Sequence, residues 1–187
     1  KAEKLLYQSY LSLIINKFPK EEQHLGTLID LISYSTVKED DENYKNAVDY
    51  LFDELEKENS ESFAVKQYKA YKLAAGKTAK SILISCATRL APLNIPAVRN
   101  LLKEDQLNLR TLGDKGRKTA LFVIVPDTDA TFNFIVSIMY SQLFNMLCTI
   151  ADEKYRGELP THVRFLLDEF ANVGLIPNFE KLIATIR

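Results

Sequence analysis

Cysteine is scarce in these 187 residues, and the two present, Cys86 and Cys148, lie 62 positions apart with no CxxC pair. That spacing excludes a disulfide-stapled scaffold and a zinc ribbon, and it fits a reducing, cytosolic setting. Long hydrophobic runs are lacking too. The longest, such as residues 120–125, are six or seven residues, against the roughly 20 that cross a bilayer, so no membrane span is expected. There is no signal peptide and no initiator Met, and the chain stops within a helical pattern at Arg187, which reads as a piece of a longer protein. Nor is there an excess of charge: Lys+Arg total 24 and Asp+Glu 25, with 47% hydrophobic residues, which excludes a disordered or low-complexity chain.

The near-zero net charge conceals a segregation. Residues 38–61 carry ten acids against three lysines, a balance of −7, whereas residues 62–118 carry twelve bases against Glu104, Asp105 and Asp114, a balance of +9. Such asymmetry suits a polyanionic partner. It equally suits two helix faces that attract each other.

Periodicity predicts helices over residues 1–18, ended by Pro19, over 21–34, and over 44–57, with an acidic loop at 38–43. Residues 60–90 read as one long helix or two meeting near Gly76, and Pro96 opens a short helix. Residues 105–118 look irregular. At Thr119 the pattern changes. Residues 120–125 read as a strand buried on both faces, 132–150 as an apolar helix, and 162–167 as a second strand. The expected architecture is therefore mainly α: an all-α domain over 1–117, then a βαβ portion over 118–187. Right-handed crossover would make the two strands parallel, and Asp127, Asp129, Asp168 and Glu169 would fall at their carboxyl ends, where ligands bind.

The sharpest motif is the apolar run that ends in Asp168-Glu169. In nucleotide-hydrolysing motors one such acid holds Mg²⁺ through water and the next orients or deprotonates the attacking water. Adjacent residues at a strand end point in different directions, so the two can divide these tasks; the competing reading is a pair of helix-capping acids. Gly76-Lys77-Thr78 imitates the tail of a phosphate loop, but the glycine needed five positions earlier is Tyr71, and the surrounding pattern is helical. Gly116-Arg117-Lys118-Thr119 fails similarly. Lys66, Lys69, Lys72, Lys77 and Lys80 would share one side of a helix beside Tyr68 and Tyr71, an arrangement able to follow a DNA backbone and stack on bases, or simply a solvated face with half-buried tyrosines. His24 and His162 lack ligand neighbours and read as cap or surface residues. Cys86 and Cys148 read as core fillers.

The stretch FLLDEFANVGLIPNFEKLIATIR, residues 165–187, closely resembles the Walker B segment of TraG/TraD-type coupling proteins, the DNA-transfer ATPases of conjugation and type IV secretion. Residues 63–93 and 118–145 are similar to coupling proteins as well, so the resemblance spans essentially the whole chain. It implies a membrane-anchored hexameric motor with a RecA-like, ATP- and Mg²⁺-binding domain, into which an all-α substrate-recognition domain is inserted on the cytoplasmic face. Asp168 would be the Mg²⁺-linked acid, Glu169 the catalytic acid, and Arg187 an arginine offered to a neighbouring subunit's nucleotide. Partners implied are single-stranded DNA, relaxase and relaxosome proteins, and secretion-channel components. Without a phosphate loop this piece would neither bind nucleotide nor hydrolyse it alone, and it could be monomeric. Two other readings stand beside this one: a non-catalytic docking module for relaxosome or effector proteins, and a DNA-packing or partition ATPase of the same superfamily.

Overall fold

A computed structural model describes residues 2–38, 41, 44–74, 76–126 and 128–185. The chain forms two compact units, Lys1–Asp105 and Gln106–Arg187. The division falls earlier than the boundary expected at 117. Residues 113–114 belong to the second unit because the Thr161 backbone N–H donates to the Gly113 carbonyl (3.0 Å) and its hydroxyl donates to the Asp114 carbonyl (2.8 Å).

The first unit contains α1 (Ala2–Lys17), α2 (Leu25–Tyr34), α3 (Ala47–Glu58), α4 (Phe63–Lys72), α5 (Gly76–Leu90) and α6 (Pro96–Leu101). Helix α1 buries Leu6, Tyr10, Leu13 and Ile14 at the expected spacing, and α4 is its main partner. Tyr10 is fully buried beside Phe52 and Tyr68, whose rings stack with centroids 3.8 Å apart. Burial pushes the Tyr10 and Tyr68 phenols far above their usual pKa.

Caps explain where the helix boundaries moved. His24 Nδ1 accepts from the Thr27 N–H (3.3 Å), so α2 starts at Leu25 and the preceding residues form only a short 3₁₀ turn at Lys20–Glu22. Asn46 Oδ1 accepts from the Val48 and Asp49 N–H groups while Asp49 Oδ2 accepts from the Asn46 N–H, a capping box that starts α3 at Ala47. The helical pattern of 60–90 resolves into two helices, with Leu73 almost fully exposed between them. Arg99 ties α6 to α2 through paired bonds to Asp30 (3.0 and 2.7 Å).

The second unit is organised by α7 (Asn133–Tyr155) and closes with α8 (Phe179–Thr185). Phe144 on α7 gathers Phe165 (4.7 Å between centroids) and Phe179 (5.5 Å), with Val173 and Ile176 buried beside them. Helix α7 runs five residues beyond the expected end, to Tyr155. It stops where Arg156 and Gly157 take left-handed backbone and the Gly157 N–H reaches back to the Ala151 carbonyl (2.8 Å).

Two expectations differ from what is seen. Among the described residues no strand is present, so the mainly helical class is seen and the βαβ pairing of 120–125 with 162–167 is not. The first run lies open, with Phe122 86% and Ile124 91% exposed, because no neighbouring strand offers it a ladder. The second keeps a strand's two-residue alternation on one side only: Val163, Phe165 and Leu167 turn inward, while His162, Arg164, Leu166 and Asp168 are exposed. Secondly, α7 is long and apolar enough to cross a membrane by length and composition, with a mean hydropathy of 1.6 over its 18-residue window. A search for unbroken apolar runs overlooks it because Ser137, Ser141, Gln142 and Asn145 interrupt it without adding charge. A domain-core helix satisfies the same measure, but only 22% of this window is buried, Phe144 among it.

Candidate functional site

Asp168 and Glu169 leave the inward-outward segment 162–167 at its carboxyl end, and both are exposed. The Glu169 N–H donates to Asp168 Oδ1 (3.1 Å), a contact that holds the first carboxylate along the chain. Glu169 itself has left-handed backbone (φ 46°, ψ 37°), a conformation that strains a residue with a Cβ. This kink ends the extended segment and starts a 3₁₀ turn at Phe170–Val173. The turn is closed by the Asn172 N–H on the Glu169 carbonyl (2.8 Å) and by Asn172 Nδ2 on Glu169 Oε2 (3.2 Å).

The turn is fastened to the first residues of α7. Asn133 Nδ2 donates to the Asn172 carbonyl (2.5 Å), and Ser137 Oγ donates to the Leu175 carbonyl (2.7 Å). Asn172 and Asn133 were not singled out by sequence reasoning. Their signal was there: Asn172 follows Glu169 by three residues, the spacing at which a turn lets an amide reach back.

The acid pair offers oxygen atoms only, the ligand type that magnesium prefers and takes largely through water. No group of three His, Cys, Asp or Glu side chains able to hold a metal occurs among the described residues. The donors thus suit a water-mediated magnesium whose other ligands come from phosphate, and do not suit an all-protein metal cage. Asp127 and Arg187 lie outside the described residues. Asp129 is engaged locally, its carboxyl lowered in pKa by hydrogen bonds from the Thr131 hydroxyl and N–H (2.9 Å for the latter). A groove of about 660 Å³ runs along the carboxyl-terminal half of α7, lined by Leu147, Cys148, Leu159, His162 and Phe165, and includes neither Asp168 nor Glu169. Burial and the nearby Asp152 raise the Cys148 thiol, and Cys86 fills the core of the first unit.

The lysine candidates do not form one stripe. Lys66, Lys69 and Lys72 lie on α4; Lys77 and Lys80 lie on α5 beyond the break. Lys66 pairs with Glu61 (2.6 Å), Lys69 with Glu56, and Lys72 with the buried Asp49 (2.8 Å). The three α4 lysines are therefore neutralised by acids of the preceding segment within the first unit. Tyr68 and Tyr71 are buried and unavailable for stacking on bases. The Gly76-Lys77-Thr78 triplet opens α5 soon after α4, and no strand precedes it among the described residues.

Residues 1–187, the full length of the chain, match the family model described as "Type IV secretory system Conjugative DNA transfer". No curated protein and no solved structure matches.

Proposed function

Because this chain belongs to the type IV secretory system conjugative DNA transfer family, we propose that Asp168 and Glu169 are the magnesium- and water-handling acids of a DNA-transfer ATPase. The observation that carries this reading is the pinned kink: two adjacent carboxylates at the end of an apolar segment, the second held in left-handed backbone and bonded to Asn172. Bound ATP and magnesium supply a polarised phosphoanhydride when the intact protein loads them. Asp168 would hold a magnesium-bound water through its outer oxygen. Glu169, angled away by the kink, would orient the attacking water and take its proton. Arg187 is proposed to serve the neighbouring subunit of a homo-hexamer at the cytoplasmic face of the membrane, where turnover would move single-stranded DNA and its relaxase toward the secretion channel. The helical unit, Lys1–Asp105, is proposed to recruit that substrate.

A docking role for the helical unit has its own support. Tyr34, Tyr50 and Phe63 stand 64%, 59% and 52% exposed around a closed, capped core, and exposed aromatics are enriched at protein interfaces. Capture of the cognate relaxase by the intact protein, lost on Tyr50→Ala and Phe63→Ala, is the outcome expected of that role; unchanged capture counts against it.

The ATPase reading is tested with Glu169→Gln in the intact protein. ATP turnover is expected to fall by about 10²–10⁴-fold, the scale of a lost general base, with nucleotide affinity changed only a few-fold. Turnover at the wild-type rate removes Glu169 from the reaction.

A further inference from the structure

The internal pairing of the α4 lysines leaves open which cations meet the DNA, and the second unit contains a better candidate. Residues 114–117 form a turn closed by the Arg117 N–H on the Asp114 carbonyl (3.4 Å), with Gly116 at φ +76° in its third position, the site that favours glycine. Its base is fixed. Gly113, at φ +84°, sits so close to the 159–163 segment that a Cβ would come within 3.0 Å of Leu159 and 3.2 Å of Val163, and Thr161 bonds the carbonyls of both Gly113 and Asp114. The tip is open: nothing lies within 4 Å of a Cβ built at Gly116.

Lys115, Arg117 and Lys118 project from this turn, all exposed. Among the described residues none of the three has an ion-pair partner, whereas Lys66, Lys69 and Lys72 all do. Asp114 is the only acid between residues 106 and 118. Three uncompensated cations on an exposed turn with a held base meet what phosphate neutralisation requires: charge free to release counterions, and little backbone ordering left to complete on binding.

We propose that the 114–118 turn is a contact site for the phosphate backbone of single-stranded DNA, and that the paired lysines of α4 are not. The proposal rests on the DNA-transfer reading for its ligand but not on the acid pair.

The test is equilibrium binding of a fluorescent oligothymidylate to the intact protein without nucleotide, measured across a salt series. Lys115→Ala/Arg117→Ala/Lys118→Ala is expected to make the slope of log affinity against log salt shallower by about 2, and to weaken binding by about 100-fold near 0.1 M salt, the effect of three single-strand phosphate contacts. Lys66→Ala/Lys69→Ala/Lys72→Ala is expected to leave the slope unchanged. Lys115→Arg/Arg117→Lys/Lys118→Arg, which keeps the charge, is expected to bind as wild type. An unchanged slope in the first variant overturns the proposal, as does equal loss in the charge-conserving one. The assay contains no nucleotide and reads no turnover, so failure here is separable from failure of the ATPase reading.

Discussion

Asp49 offers the most demanding check on how the helical unit is held together. Its carboxylate is only 4% exposed and receives three donors: the Asn46 N–H (2.9 Å), the Tyr68 hydroxyl (2.8 Å) and Lys72 Nζ (2.8 Å). Burial works to raise its pKa, but the Lys72 ammonium, the Asn46 N–H and the Tyr68 hydroxyl together hold it below the ordinary value. Asp49→Ala removes half of the capping box, worth about 1 kcal/mol. It also strands the buried Tyr68 hydroxyl, at about 1–3 kcal/mol. Lys72, partly exposed, can turn to water and adds little. The expected loss is about 3 kcal/mol, or a fall in Tm of roughly 15 °C for a unit of this size. Near-ultraviolet circular dichroism reads it selectively, since the chain has no tryptophan and seven of its nine tyrosines lie before residue 105. Tyr68→Phe combined with Asp49→Ala is expected to recover part of the loss, because no hydroxyl is then stranded. A depressed native pKa means that the folded state binds fewer protons than the unfolded one. The contribution of Asp49 is thus complete above the unfolded carboxyl value, near 4, and declines as pH falls through the lower folded value. A loss below about 1 kcal/mol in Asp49→Ala, or no recovery in the double variant, refutes the account.

The second unit is expected to depend on Phe144 in the same measurable way. Phe144→Ala removes the ring that joins Phe165 and Phe179 across α7 and is expected to cost about 3–5 kcal/mol, followed by hydrogen exchange of α7 amides. Phe144→Leu, which leaves a smaller void, is expected to cost visibly less; equal costs would show that packing at this position is not what holds the unit.

The helices were legible because their signals are local. Leu6, Tyr10, Leu13 and Ile14 share a face by spacing alone, and Pro19 and Pro96 mark boundaries that follow from fixed backbone geometry. The starts of α2 and α3 were misplaced by a few residues because a cap is chosen by side-chain hydrogen bonds that periodicity does not contain. Strands are another matter. Residues 120–125 and 162–167 have strand composition, but a ladder needs a partner, and composition does not say where that partner lies. For the same reason the acid pair could be located from its apolar approach, whereas its kink at Glu169 and its support by Asn172 and Asn133 required coordinates. The lysines show the opposite failure. Their spacing suggested a shared face, yet the break after α4 and the acids Asp49, Glu56 and Glu61 decide their charge balance, and neither is visible in the basic residues themselves.

The measurement that bears most directly on the acid pair is the magnesium requirement of ATP turnover in the intact protein carrying Asp168→Asn. If Asp168 holds the metal through water, the magnesium concentration for half-maximal turnover rises by about 10–100-fold, the usual consequence of removing an outer-sphere carboxylate. A requirement identical to wild type would place Asp168 away from the metal.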